Sequence, residues 1–490
     1  MRGLFLFFIL TACTVLAGCA VNPVSGRSEM ALISEEKELE LGRKNDEIIK
    51  KQYGVYDDKN LQEYVNRIGQ SLAQKSHRPN IEYSFTVLDS AEVNAFALPG
   101  GYVYITRGIM SYMNSEAELA AVLGHEIGHV TARHSVQQYS KATATSLGIT
   151  IASILVPELR SDVSQQLMNV FGNAIISGYG REAELEADRL GAEYLARDGY
   201  RPEAMTDVIG VLKNQEEFEK ERARREKREP RVYHGVFASH PSADTRLQQV
   251  VAQAETLRTK ARPNGRLDRQ NYLDRIDGIV FGDSVSQGIR RDNHFYHRGL
   301  DLTLSFPPEW KIQNRPTQLL AIHPDKDALI DFRLVEYKDK TLPTPEQLAR
   351  EQLKNDTLSG TPLSDSALPS FTTISKLRTP WGKRKTRVSV VYLGGRAYLI
   401  YGAAKTELRL KELDGLFLQT ASSLRALRPT EHKFANGLRI RIAQAKKGQS
   451  FAEFARRSPV PDYPELMLRL INNKFPKGEP RPGENIKLIR

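Results

Sequence analysis

The pentapeptide His125-Glu126-Ile127-Gly128-His129, inside the stretch Ser115 to Gln138, constrains this chain more than any other feature. Asn114 and Ser115 offer an N-cap, and Glu118, three residues beyond Ser115, completes the pattern of a capping box. Leu119, Val122, Leu123, Ile127 and Val130 recur at helical spacing with no proline among them, so the stretch predicts a helix. On that helix His125 and His129 stand one turn apart on one face, where two imidazoles can reach one metal ion. Glu126 projects beside them, toward the place of a metal-bound water. That makes two ligands and a general base. The bland alternative is a helix with two incidental histidines. A third ligand elsewhere in the chain decides between them.

The N-terminus says where the chain works. Arg2 precedes an apolar run, Leu4 to Leu10, followed by small residues and then Leu16-Ala17-Gly18-Cys19. A charged flank, a short apolar core and small residues before a cut site make an export signal over residues 1–18, too short for a membrane-spanning helix. Leu-Ala-Gly-Cys resembles a bacterial lipobox, which implies cleavage before Cys19 and lipid attachment to it. Ala20 in place of aspartate then implies a lipid anchor in the outer membrane, facing the periplasm. The chain has two cysteines, Cys13 and Cys19. One leaves with the signal and the other is acylated, so a metal site must use histidine and carboxylate.

A net charge of +11 raises nucleic acid as a partner. Export argues against it. The densest basic run, Lys220 to Arg228, is interleaved with Glu219, Glu221, Glu226 and Glu229 and reads as a solvated helix face. Contact with anionic lipid or cell-wall polymer is the remaining option.

At 490 residues the chain has room for roughly two to four domains. Residues 19–33 read as a tether and 34–262 as a metallopeptidase-type domain, mainly helical with a small sheet. Leu61, Tyr64, Val65, Ile68 and Leu72 form a helical stripe. Ile81 to Val87, Val93 to Leu98 and Tyr102 to Thr106 read as strands, the last two joined by Pro99-Gly100-Gly101. Residues 141–180, between the two metal-binding helices, are a candidate lid. A helix is expected from Arg181 to Arg197, another opening with Pro202 at its first position, and a third after Ser242. Residues 263–293 read as a polar connector. Residues 294–428 form a β-rich α+β or sandwich-like domain of unknown role, with a hairpin around Gly394-Gly395 and a helix near Pro345 to Lys354. The whole is α+β.

Residues 432–490 read as strand, helix, helix, strand. Lys447-Gly448 before the first helix, Asn472 after the second and Pro482-Gly483 before the last strand resemble a LysM module, which implies binding of glycans such as peptidoglycan. Where LysM domains usually read Gly-Asp-Thr-Leu, this chain has Gly448-Gln449-Ser450-Phe451, which puts the binding in doubt.

For the third ligand, the informative segment is Gly180 to Asp188. Glu184 and Asp188 are four apart and share a helix face, with small Ala187 permitting close packing. By spacing alone, a charged, solvated helix explains them as well. The combination of HEIGH with Glu-x-x-Ala-Asp some way downstream, and with Asn94-Ala95-Phe96-Ala97-Leu98-Pro99-Gly100-Gly101 upstream, resembles the gluzincin family of the BepA-type and HtpX proteases and the CAAX prenyl endopeptidases. The similarity covers about Ala20 to Arg262. It implies His125, His129 and Glu184 as ligands of one zinc ion, Glu126 as base and Asp188 as a partner orienting a ligand. Asn94, Ala95 and Phe96 would lie on the strand that binds extended substrate. Glu182 and Glu186 fall outside the pattern. Ser239 to Arg246 resembles the family's His-Pro loop, making His240, with Arg246, a candidate latch on the zinc or an oxyanion partner. His134, nine residues after His125, falls on a different face of the helix and is not expected to be a ligand.

The expected function is a zinc endopeptidase at the periplasmic side of the outer membrane that degrades unfolded or misassembled envelope proteins. The alternative is a latent protease acting as a chaperone-like or cell-wall-binding assembly factor. A cell-wall hydrolase is the weakest reading.

Overall fold

The computed structural model describes residues 19–26, 28–30, 33–138, 140, 179–230, 265–315, 318–335, 337 and 343–490. The chain forms two compact units, Met1–Phe281 with Arg439–Arg490, and Gly282–Leu438. Among the described residues no helix is long and apolar enough to cross a membrane.

The first unit begins with a short antiparallel pair, β1 (Cys19–Val21) and β2 (Ser28–Met30). Helix α1 (Glu35–Tyr53) starts at Ser34, whose hydroxyl accepts from the Lys37 N–H at 3.3 Å. Its first turn carries Glu35, Glu36 and Glu38 and its last Lys50 and Lys51, each charge set against the helix dipole. Helix α2 (Lys59–Ala73) is capped by Asp58 and buries its whole stripe from Leu61 to Leu72. Strands β3 (Ser84–Leu88), β4 (Ala95–Leu98) and β5 (Tyr102–Thr106) form a sheet in the order β3-β5-β4. β3 runs parallel to β5 and β4 antiparallel. Gly100 and Gly101 make the β4–β5 turn at φ +80 and +93, and a Cβ on Gly101 would lie 2.7 Å from the Glu82 carbonyl oxygen. β4 is an edge strand, with no partner on its outer side among the described residues.

A short helix, α3 (Arg107–Met110), leads to α4 (Glu116–Thr131), which is buried along its whole length. Ser115 caps it, its hydroxyl accepting from the Glu118 N–H at 3.2 Å. Glu118 reaches back one residue further than a strict capping box, to the Asn114 N–H at 2.8 Å. Glu116 is buried and accepts from Tyr64 (2.9 Å), Tyr200 (2.6 Å) and Asn271 (2.6 Å). The helix stops at Thr131, short of Gln138, because Arg133 adopts a left-handed φ of 56. Buried Arg78 ties this end to α1, donating to the Val130 carbonyl (3.1 Å), to Glu38 (2.9 Å) and to Glu35 (2.7 Å).

Helix α5 (Arg181–Arg197) packs on α4, and α6 (Ala204–Arg225) follows. Pro202 stands in the turn before α6 and not at its first position. Residues 231–264, where a helix after Ser242 is expected, and most of the candidate lid lie outside the described residues. Much of the stretch read as a connector is ordered. It holds α7 (Arg269–Ile276), whose Tyr272, Leu273 and Ile276 are buried, and strand β6 (Val280–Phe281). Eight residues are too few for periodicity to stand out from the surrounding charge.

The second unit has a three-stranded sheet, β7 (Ile289–Arg291), β8 (His294–His297) and β9 (Leu302–Ser305), and a larger antiparallel one. The larger comprises β10 (Lys311–Arg315), β11 (Gln318–Ile322), β12 (Ala328–Val335), β13 (Ser370–Thr379), β14 (Gly382–Leu393) and β15 (Arg396–Ala404), in the order β10-β11-β12-β15-β14-β13. Helix α8 (Pro345–Leu353), with its Thr344–Gln347 capping box, packs on one face, and α9 (Glu407–Ser422) on the other. Along β15, Tyr398 and Ile400 face α9 while Ala397 and Leu399 face α8. One face of the larger sheet is thus covered by α8, and the other by α9 together with Phe295, Leu302 and Leu304 of the smaller sheet.

The chain then returns to the first unit as β16 (Leu438–Gln444), α10 (Phe451–Ala455), α11 (Pro464–Ile471) and β17 (Asn485–Ile489), with sheet order β17-β16-β6. This segment helps to hold the loop before α4, whose five successive carbonyls are all capped by side chains. Tyr272 donates to Met110 O (2.5 Å), Lys487 to Ser111 O (2.9 Å) and Met113 O (2.7 Å), Asn114 to Tyr112 O (2.8 Å), and Arg269 to Asn114 O (3.0 Å). Lys487 is fully buried, which pushes its ammonium down in pKa, with Glu118 opposing the shift. Lys487→Met keeps the apolar stem and removes the donors. It should lower the opening free energy of residues 110–118 by about 1–3 kcal/mol, read by hydrogen exchange. Unchanged protection there would contradict this anchoring.

Candidate metal centre

The centre is set by how closely two helices approach. A Cβ added to Gly128 would lie 2.9 Å from the Ala187 carbonyl oxygen, and one on Gly191 would lie 2.9 Å from the His125 nitrogen. Gly124 faces Gly191 and Leu195 at 3.0–3.4 Å in the same sense. With no side chains between the backbones, α5 brings Glu184 over the one face of α4 that carries both histidines.

The His125 and His129 Nε2 atoms are 3.0 Å apart. Glu184 Oε2 lies 3.7 Å from His125 Nε2, and Glu184 Oε1 lies 3.6 Å from His129 Nε2. Ligands bound at about 2.0–2.2 Å in a tetrahedron stand about 3.3–3.6 Å from each other, so the three groups converge at coordination scale. His125, His129 and Glu184 are buried, as are Glu126 and Asp188. Three buried carboxylates around two imidazoles are costly unless they meet positive charge, and a divalent cation supplies it. The donor set of two nitrogens and one carboxylate is that of a catalytic zinc site.

Asp188 Oδ1 is 2.9 Å from His125 Nδ1, and so positioned to orient that ring. Ala95 of β4, with His125 and Glu126, lines a cavity of about 40 Å³ closed by Val122, Met205, Ile209 and Leu212. Asn94, Ala95 and Phe96 are themselves buried. His240 and Arg246 lie outside the described residues. Cys19 opens β1, away from any residue of the centre in sequence.

Three neighbours of the centre are not among the residues that the sequence pattern singles out. His134 Nδ1 lies 2.8 Å from His129 Nδ1, and His134 Nε2 lies 3.2 Å from Glu186 Oε2. That hydrogen bond holds the Glu186 carboxyl below its ordinary value. Tyr179 stacks on His129 with ring centroids 4.1 Å apart and hydrogen-bonds Ser135 at 2.6 Å. A helical wheel misplaces His134 because the helix ends before it. Tyr179 carries no sequence signal. A second grouping, His323, Asp325 and Asp327 in the second unit, has its cation already: Arg409 lies 3.0 Å from both Asp327 Oδ2 and His323 Nε2.

Fold and site together define a metallopeptidase-type domain with a His-His-Glu zinc site. Residues 59–254 match the model of Peptidase family M48, which makes this part of the chain an M48 domain. The chain is 29% identical over 259 residues to the beta-barrel assembly-enhancing protease of Yersinia pestis, covering 51% of this chain and 50% of that protein. It is 27% identical over 243 residues to the protein of that name from Escherichia coli K12 (48% and 47% covered). It is 29% identical over 182 residues to the mitochondrial metalloendopeptidase OMA1 of Arabidopsis thaliana (36% of each chain). The chain thus spans about half the length of the beta-barrel assembly-enhancing proteases that it matches.

Gly128→Ala forces α4 and α5 apart, since the obstructing atoms are backbone. Zinc affinity should fall at least about tenfold in competition with a chromophoric chelator. Wild-type affinity in this variant would show that the helix contact does not set the site.

Proposed function

We propose that this protein is a zinc-dependent endopeptidase, lipid-anchored through Cys19 on the periplasmic side of the outer membrane, that cleaves unfolded or misassembled envelope proteins. The observation that carries the catalytic part is the buried convergence of His125, His129 and Glu184 with Glu126 beside them. The envelope part is supported by the lipobox-like Leu16 to Cys19 and by the similarity to the beta-barrel assembly-enhancing proteases of Yersinia pestis and Escherichia coli.

In this reading His125, His129 and Glu184 hold one zinc ion, which supplies Lewis acidity and an acidified water. Glu126 takes the proton as water adds to the scissile carbonyl and passes it to the leaving amine. Asp188 keeps the His125 ring aimed. β4 offers the edge that is unpaired among the described residues to an extended chain, whose main-chain hydrogen bonds carry little sequence information. Selection then falls on chains able to become extended, which is a property of unfolded protein. The apolar cavity beside His125 and Ala95 accepts a hydrophobic side chain next to the scissile bond. His240, with Arg246, is the latch that keeps the resting enzyme closed. The C-terminal LysM-like segment offers contact with peptidoglycan. The domain scheme follows the same reading: signal 1–18, tether 19–33, peptidase 34–262, connector 263–293, β-rich domain 294–428 and LysM-like segment 432–490.

Purified protein should degrade casein with one zinc per chain. Glu126→Gln should slow this by about a hundred- to ten-thousand-fold while the zinc stays bound. Full activity in zinc-free protein would sink the proposal. His240→Ala should raise the rate of casein cleavage. A fall would assign His240 to catalysis and remove the latch.

A further inference from the structure

We infer that His134 is a positioning residue for the metal centre: together with Glu186 it fixes the ring of His129 through a chain of side-chain hydrogen bonds. The inference rests on the zinc reading above and adds two residues to it.

The geometry leaves one consistent arrangement of protons. His129 turns Nε2 toward His125 and Glu184, with distances of 3.0 and 3.6 Å. A neutral imidazole that ligates through Nε2 carries its proton on Nδ1. The contact of 2.8 Å between the Nδ1 atoms of His129 and His134 then has His129 donating and His134 accepting. His134 must therefore hold its own proton on Nε2, where it donates to Glu186 Oε2 at 3.2 Å. The carboxylate at the end fixes the direction of the whole chain.

The two ligand histidines are thus oriented by different means. His125 is tied directly to a carboxylate, Asp188, at 2.9 Å. His129 reaches Glu186 only through a second imidazole. Both carboxylates come from α5, two residues apart, so the helix that supplies the third ligand also supplies both supports.

The backbone is bent to make this contact. Arg133, between the two histidines in sequence, sits at φ 56, a left-handed conformation that is unfavourable for a non-glycine residue. Its side chain is held there by Glu38 at 2.9 Å. Without that turn the helix would carry His134 away from His129. Tyr179 adds a further support, stacking on His129 and bonding to Ser135, the residue next to His134. His129 and His134 are 1% and 3% exposed, so water does not compete for the bond between their rings, while Glu186 at the end of the chain is partly exposed.

Zinc dissociation constants for wild type, His134→Ala, His134→Asn and Glu186→Gln, by chelator competition, test this. The asparagine variant keeps an acceptor close to the position of Nδ1 but cannot reach Glu186. His134→Ala should weaken zinc binding about ten- to a hundredfold. His134→Asn should recover most of that loss, and Glu186→Gln should lose less than His134→Ala. The visible spectrum of the cobalt-loaded protein should shift in His134→Ala and stay near wild type in His134→Asn. Wild-type zinc affinity in His134→Ala overturns the inference. So does equal loss in the alanine and asparagine variants, which would assign the effect to ring volume. Failure of the wild type itself to bind zinc would instead remove the function proposed above.

Discussion

The rest of the first unit depends on the backbone contact between α4 and α5. Gly124, Gly128, Ala187 and Gly191 put nothing larger than a methyl group at the closest approach of the two helices. Only at that distance does Glu184 come within 3.6–3.7 Å of two imidazoles on the neighbouring helix. The same approach places Asp188 behind His125 and Glu186 behind His134. One run of small residues therefore sets a ligand and two supports at once.

Both ends of α4 are fixed by buried polar groups. At its start, Glu116 and Glu118 satisfy donors from Tyr64, Tyr200, Asn271 and the chain before the helix. The preceding carbonyls are taken up by α7 and by Lys487 of β17. At its end Arg78 holds the Val130 carbonyl and Arg133 holds Glu38. A catalytic constellation needs ligands held to a fraction of an ångström, and rigid supports of this kind provide it. The C-terminal segment thus contributes to the peptidase unit directly.

Much of this is legible in the sequence because it is local. The stripes of α2 and α4, the Ser115 cap, the Pro99 to Gly101 turn and the hairpin around Gly394-Gly395 are written in neighbouring residues. The three groups that converge on the metal position are legible through their motifs. What is hidden depends on distance along the chain or on a single backbone choice. Arg133 is a good helix former, and nothing near it announces a left-handed turn, so His134 is misread by the helical wheel. Lys487 and Tyr272 meet the 110–114 loop across hundreds of residues, and only tertiary packing pairs them. The α9 helix escapes the period because its leucines encircle it, with Leu408 70% exposed.

The proposed chemistry requires that His125, His129 and Glu184 bind one zinc ion. Zinc-edge X-ray absorption on the purified, zinc-loaded protein tests it most directly. The expected result is a shell of nitrogen and oxygen only, at about 2.0–2.2 Å, with outer-shell scattering from two imidazoles that drops to one in His129→Ala. A shell without imidazole, or one that His129→Ala leaves unchanged, would contradict it.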